Sequence, residues 1–223
     1  MSIKSIASST PMPYDLAKKI GLSGVNEILN VFWKGYNELK MDDAIHIDAS
    51  SEEDGITQKW YEKICSIWES RNRATAITLN GLFPFHQYSD NTMKKHSGRK
   101  APTIDFCFKE WNTNSYFGAE AKNLYKNKKD KIKRYISTGI ENYTSGRYGS
   151  RSSESSMIGY VLTGRISDIV AELRIAISKT PHIDNLTRVT DTTNPQYRSK
   201  HLRSIDDHEI IIHHLFFDFS SLQ

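Results

Sequence analysis

Apolar positions along the chain switch between helical and strand spacing. Asp15 to Ile20 suits a short helix, and from Ser23 the residues Val25, Ile28, Leu29, Phe32, Trp33 and Tyr36 predict a longer one. Ser51-Glu52-Glu53-Asp54 reads as a helix start, with acids in the first turn where the helix dipole favours them. Ile56, Trp60, Ile64, Ile67 and Trp68 then line one side of that helix. Ala74 to Leu79 reads as a strand, and Gly81 to Arg99, with Pro84, as a polar loop. From Thr103 to Lys109 the period becomes two, with Ile104, Phe106 and Phe108 on one face. Trp111-Asn112-Thr113-Asn114 supplies a turn, and Tyr116 to Leu124 the return strand. A helix over about Asp130 to Tyr143 carries Ile132, Tyr135, Ile136, Ile140 and Tyr143 at burial spacing. Thr144 to Ser156 reads as a loop, Met157 to Thr163 as a buried strand and Ser167 to Ser178 as a helix. Pro181 to Asp207 is a long polar connection, and Glu209 to Phe219 a last apolar strand.

This order predicts an α/β protein with a mixed central sheet flanked by helices. No internal repeat or interior linker divides it. Residues 1–45 read as an N-terminal helical extension, with Ser-rich residues 1–12 expected to be mobile, and residues 46–223 as one compact unit. The chain has 223 residues, 38% hydrophobic and 25% charged, as a soluble globular domain has. Net charge is only +4, but seven bases, Lys122, Lys126, Lys128, Lys129, Lys131, Lys133 and Arg134, face one acid, Asp130, over residues 122–134. Such a local patch matters more for a polyanionic partner than global charge does, although for a charge run alone a solvated helix start is the simpler explanation. Cys65 and Cys107 sit inside apolar patterns, as reduced structural thiols of a cytosolic protein do. Neither a signal peptide nor a membrane span is expected.

The candidate chemistry lies on the predicted hairpin. A turn centred on Asn112 and Thr113 sets Asp105 opposite Glu120, with Lys122 two residues on and on the same face. Directly opposed residues have Cβ atoms about 4.5–5.5 Å apart, so the two carboxylates repel unless a cation lies between them. A hard divalent ion, magnesium or manganese, answers that need, and the Ala121 carbonyl offers another oxygen. Lys122 then orients an attacking water, helps to deprotonate it or balances phosphate charge. Glu-x-Lys alone proves little, because Glu38-Leu39-Lys40 repeats it in a predicted helix. The strand context and the preceding Pro102-Thr103-Ile104-Asp105 distinguish the second copy.

With these residues the sequence resembles the PD-(D/E)xK nuclease superfamily, whose restriction-endonuclease-like core runs helix, three strands, helix, strand. The resemblance covers roughly residues 50–165 and maps the motif onto Asp105, Glu120 and Lys122. It implies a further acidic metal ligand from the first core helix. Glu52, Glu53 and Asp54 compete for that place, and Glu53, three residues before Ile56 and seven before Trp60, leans toward the buried face. Downstream, Arg134-Tyr135-Ile136, Gly139-Ile140, Tyr143, Gly146, Tyr148 and Met157-Ile158-Gly159-Tyr160-Val161 resemble a pattern in bacterial nuclease-like proteins, several tied to mobile-element or phage-defence loci.

The resemblance implies a magnesium-dependent endonuclease in the bacterial cytoplasm, acting on DNA more than RNA, in restriction or anti-phage defence. It allows a homodimer or a protein partner in a multi-subunit system. The rival expectation is a subunit that binds nucleic acid or a partner without cutting. Lys126, Lys128, Lys129 and Arg134 are the expected phosphate contacts, joined by Arg147 and Arg151 in the loop with Tyr143 and Tyr148. His86 and His96, with Lys94, Lys95, Arg99 and Lys100, lie in a loop expected to close over substrate. His213 and His214 point to opposite faces of the last strand and read as structural, as does His208.

Overall fold

The computed structural model describes residues 15–71, 79–91, 98, 101–111, 113–190, 192 and 194–220. Helices α1 (Leu16–Met41) and α2 (Glu53–Ser70) precede strands β1 (Leu82–Ser89), β2 (Thr103–Glu110) and β3 (Tyr116–Tyr125). Next come α3 (Lys129–Tyr135), a π-helical turn (Ile136–Ile140) and α4 (Glu141–Thr144), wound as one continuous helical segment. Then follow β4 (Glu154–Thr163), α5 (Ile166–Ile177), β5 (Thr187–Val189), β6 (Gln196–Leu202) and β7 (Glu209–Asp218).

All seven strands form one mixed sheet in the order β1-β2-β3-β4-β7-β6-β5. β3, β4 and β7 run parallel, and every other neighbouring pair is antiparallel. α1 and α2 cover one face, where Phe32, Trp60 and Trp68 meet Phe106, Phe108, Tyr160 and Phe217. The helices after β3 cover the other, where Tyr135, Tyr143 and Leu173 share a core with Met157, Val161 and Phe216. Each such side chain taken wholly out of water contributes about 1.5–3 kcal/mol. α1 therefore shares its core with α2 and the sheet rather than standing apart. Its N-cap is Asp15, whose carboxylate accepts from Ala17 N–H at 3.1 Å. A kink at Gly21 (φ 64°, ψ −178°) separates the two helical stretches that the sequence pattern distinguishes.

Two expectations are corrected. The polar loop expected over Gly81 to Arg99 begins with strand β1, paired along its length with β2. Proline is tolerated there because β1 is an edge strand and loses no ladder donor. α2 blunts the edge: Trp68 Nε1 donates to Leu82 O at 2.9 Å and Tyr61 Oη to Pro84 O at 3.2 Å. The polar connection expected over Pro181 to Asp207 contains β5 and β6. β6 buries Gln196, Ser199 and His201, polar side chains that no hydrophobic alternation reveals. The strand expected at Ala74 to Leu79 lies, up to Thr78, outside the described residues, as do residues 1–12 and the loop residues Lys94, Lys95, His96, Arg99 and Lys100.

Candidate functional site

β2 and β3 pair from Lys109↔Tyr116 to Phe106↔Ala119, the register expected from the sequence. One residue further, Asp105 comes level with Glu120, and there the strands part. On its other edge β2 pairs His86↔Phe106 and Tyr88↔Ile104, skipping Gln87 and Asp105, and Gln87 has a left-handed φ of 49°. This irregularity turns Ile104 into the core beneath α3, α4 and α5. Carboxylates take the place of the departing strand. Asp105 Oδ2 accepts from Ala121 N–H at 2.7 Å, and Glu53 Oε2 accepts from Asn123 N–H at 3.0 Å. Ala121 and Asn123 are two residues apart, so both N–H groups face the same strand edge.

Lys122 gathers the remaining oxygens. Its Nζ donates to Glu120 Oε1 at 2.7 Å, to Glu53 Oε1 at 3.1 Å and to the Ala121 carbonyl at 2.6 Å. Only 5% of the Lys122 side chain and 7% of the Glu120 side chain remain exposed. Burial, then the neighbouring Asp105, pushes the Glu120 carboxyl up to about 8, against the pull of Lys122. Burial likewise lifts Asp105 to about 6, opposed by Lys122 and the Ala121 N–H. Burial works against the Lys122 charge, yet Glu120, Glu53 and Asp105 outweigh it and raise its pKa. Arg134, half exposed, brings a guanidinium nitrogen to 3.6 Å from Glu53 Oε1.

Four expected residues, Glu53, Asp105, Glu120 and Lys122, thus stand together with the Ala121 carbonyl. Their oxygens are the hard donors that magnesium takes. Glu120 Oε2 is buried without a hydrogen-bond partner, an acceptor left over for a cation. As arranged, the ammonium separates Glu53 from Glu120, and among the described residues no group of three or more His, Cys, Asp or Glu side chains is closed up as a metal-ligand set. Of the competitors for the helix position, Glu53 reaches the site while Glu52 is the α2 N-cap residue.

The basic residues are spread around this centre. Lys128 and Lys129 are exposed at the start of α3, while Lys126 pairs with Asp168 at 3.0 Å. Arg147 and Arg151 are exposed on the loop before β4, but Tyr143 and Tyr148 are buried and cannot offer their rings to a base. Tyr148 instead donates to Thr103 O at 3.1 Å, with Glu120 Oε1 3.5 Å from the same hydroxyl. That loop is gripped at Gly149, whose N–H donates to Asp90 Oδ2 at 2.9 Å while its carbonyl accepts from Arg203 at 2.7 Å. Arg203 also donates to Ser152 O, and the Tyr116 hydroxyl to Asp90. Sequence reasoning passes over Asp90, Tyr116 and Arg203, because an isolated acid and an isolated arginine in polar stretches carry no motif.

The buried histidines His201, His213 and His214 serve the fold. His213 bonds Glu154 at 2.7 Å and Gln196 at 2.8 Å on the α1–α2 side. His214 joins Tyr135 at 3.0 Å and, through Ser199 at 2.7 Å, His201 on the opposite side. His86, expected in a closing loop, lies on β1 stacked on Tyr61. His208 is exposed beside Asp206. Cys65 and Cys107 are free thiols. Among the described residues no helix is long and apolar enough to cross a membrane.

No protein-family model matches the sequence, no curated protein matches it, and no solved structure matches the fold.

Proposed function

We propose that this chain is a metal-dependent phosphodiester hydrolase acting on nucleic acid, DNA in preference to RNA, with a PD-(D/E)xK-type site. One observation carries the reading. Glu53, Glu120, Lys122 and the Ala121 carbonyl, from two distant elements, converge where β2 and β3 separate, with Asp105 at the edge. The order α2-β1-β2-β3-α3-β4 supports a restriction-endonuclease-like core. Glu53, Asp105, Glu120 and the Ala121 carbonyl are the groups to hold magnesium or manganese. Such an ion, when bound, acidifies a water and neutralises phosphate charge.

In this reading Lys122 leaves the carboxylates to hold the attacking water by a hydrogen bond and to balance phosphate charge. Arg134 stands within reach of the phosphate through its exposed guanidinium, and Lys128 and Lys129 extend the cationic border along the strand. Restriction or defence against phage, with or without a protein partner, is the biological setting proposed for it. Purified protein is expected to cleave DNA with magnesium or manganese, and Asp105→Ala and Lys122→Ala to lower the rate by about 100-fold or more. Undiminished cleavage in both variants rejects the assignment.

A second reading, a nucleic-acid-binding or partner-binding subunit that does not cut, is favoured by the near-complete burial of Glu120 and Lys122. It predicts DNA binding without cleavage under any divalent ion.

A further inference from the structure

Lys109 is set apart from the other cations of the chain. It is only 8% exposed, and among the described residues it makes no hydrogen bond and no ion pair. Its ammonium lies 5.7 Å from the centre of the Phe85 ring and 4.9 Å from that of Tyr88, as a cation–π contact requires. The adjacent acid Glu110 is paired with Lys19. Beside this cation the surface is aromatic. Phe83, directly across from Lys109 on β1, is 50% exposed, and Trp111, where β2 ends, is 73% exposed with its ring 6.3 Å from Phe85.

We infer that this corner of the sheet is a platform for single-stranded nucleic acid, on which unpaired bases stack against Trp111 and Phe83 while Lys109 meets a phosphate. Aromatic rings flanking a cation are what a strand without a complementary partner needs, since every base presents a π-face and every linkage a negative charge. Charge complementarity selects this occupant over an apolar protein segment. The loop carrying exposed Arg147 and Arg151 is fastened beside the platform, because Gly149 N–H donates to the Tyr116 hydroxyl at 2.7 Å and Tyr116 lies across from Lys109 on β3. Lys109 is four residues along β2 from Asp105, about 13 Å at strand rise. A strand lying on the platform is therefore led toward the carboxylates. The inference deepens the proposed hydrolase by naming an unpaired strand as its substrate, and it rests on that reading only for the direction of travel.

Binding is measured in EDTA, so that it does not depend on cleavage. Fluorescence anisotropy of a labelled oligothymidine gives the affinity, with a duplex of equal length for comparison. Intrinsic fluorescence gives the location: Trp33, Trp60 and Trp68 are buried, so quenching by a soluble quencher, and its protection by oligothymidine, report on Trp111. The single strand is expected to bind more tightly than the duplex and to shield Trp111. Trp111→Ala and Lys109→Met are each expected to weaken it about 10-fold, and Trp111→Phe much less. Trp111→Ala touches no core, which keeps the test meaningful if Lys109→Met fails to fold. Duplex bound as tightly as single strand, or affinity unchanged in Trp111→Ala, overturns the platform. Binding in EDTA by an unaltered protein that fails to cleave with magnesium or manganese rejects the hydrolase and leaves the platform standing.

Discussion

The ammonium of Lys122 lies 2.7 Å from Glu120 Oε1, although burial holds the Glu120 carboxyl up to about 8. Glu53 and Glu120 share one buried ammonium with Asp105 alongside, and burial raises the carboxyls of Glu120 and Asp105. For the Glu120 carboxyl desolvation exceeds the Coulombic gain, while for the Lys122 ammonium the neighbouring carboxylates prevail.

Stability follows from the sign of that shift. Between the ordinary glutamate range and about 8 the folded chain holds a proton at Glu120 that the unfolded chain has lost. The native state binds more protons, so stability falls as pH rises through this window, by at most about 1.4 kcal/mol per pH unit for one site. Asp105 adds a fall of the same sign at lower pH, ending near 6. Urea denaturation from pH 5 to 8 is expected to show the decline, and Glu120→Gln to flatten it above pH 6. An unchanged slope in that variant contradicts the protonated Glu120.

Ion binding is linked to the same proton. A magnesium or manganese ion taken by Glu120 requires its carboxylate form, so binding near pH 7 is expected to release about one proton and to strengthen as pH rises toward 8. Calorimetry in buffers of different ionisation enthalpy measures the release directly. Binding with no buffer dependence shows that the ion, if it binds, does so elsewhere.

Arg203 and Asp90 hold the two sides of one residue, Gly149. Arg203→Met leaves the buried Gly149 and Ser152 carbonyls without their donor. The expected loss is about 1–3 kcal/mol, as for leaving buried acceptors unsatisfied. Should the fold survive, hydrogen exchange at the Gly149 amide is expected to quicken more than exchange in β4. Uniform acceleration across the sheet instead assigns Arg203 to global stability alone.

Gly35 tests how far α1 belongs to the core. A Cβ there meets Trp60 Nε1 at 2.6 Å and Cδ1 at 2.9 Å, and the Trp60 ring is hemmed in by Phe106, Tyr160 and Phe217. Gly35→Ala is expected to lower the denaturation midpoint by the equivalent of about 1–3 kcal/mol despite alanine's better helix propensity. A midpoint that stays or rises shows that α1 slides freely over α2.

The hairpin register was legible because a short turn and strict alternation leave β2 and β3 one way to bury Phe106, Phe108 and Phe117. α2 and α5 were legible for the same reason, since each buries a single stripe. The parting of the strands at Asp105 was not, and it coincides with a left-handed backbone at Gln87, a residue type with no preference for it. β6 escaped because Gln196, Ser199 and His201 are buried by satisfying one another and the histidines of β7, and polar satisfaction leaves no period in the sequence. Glu53 could be favoured over its neighbours from its helical phase, but its grip on Asn123 N–H belongs to tertiary structure alone.

The grip of Arg203 on Gly149 makes the two ends of the chain unequal partners in one architecture. The segment from α2 to β4 contains every carboxylate of the candidate site, yet the loop that carries Tyr148 to Glu120 is held at Gly149 and Ser152 by Arg203, about fifty residues further on. A minimal domain cut after β4 would keep the chemistry on paper and lose its scaffolding. Removing the β6–β7 connection would therefore release the loop before β4 even though every candidate carboxylate remained in place.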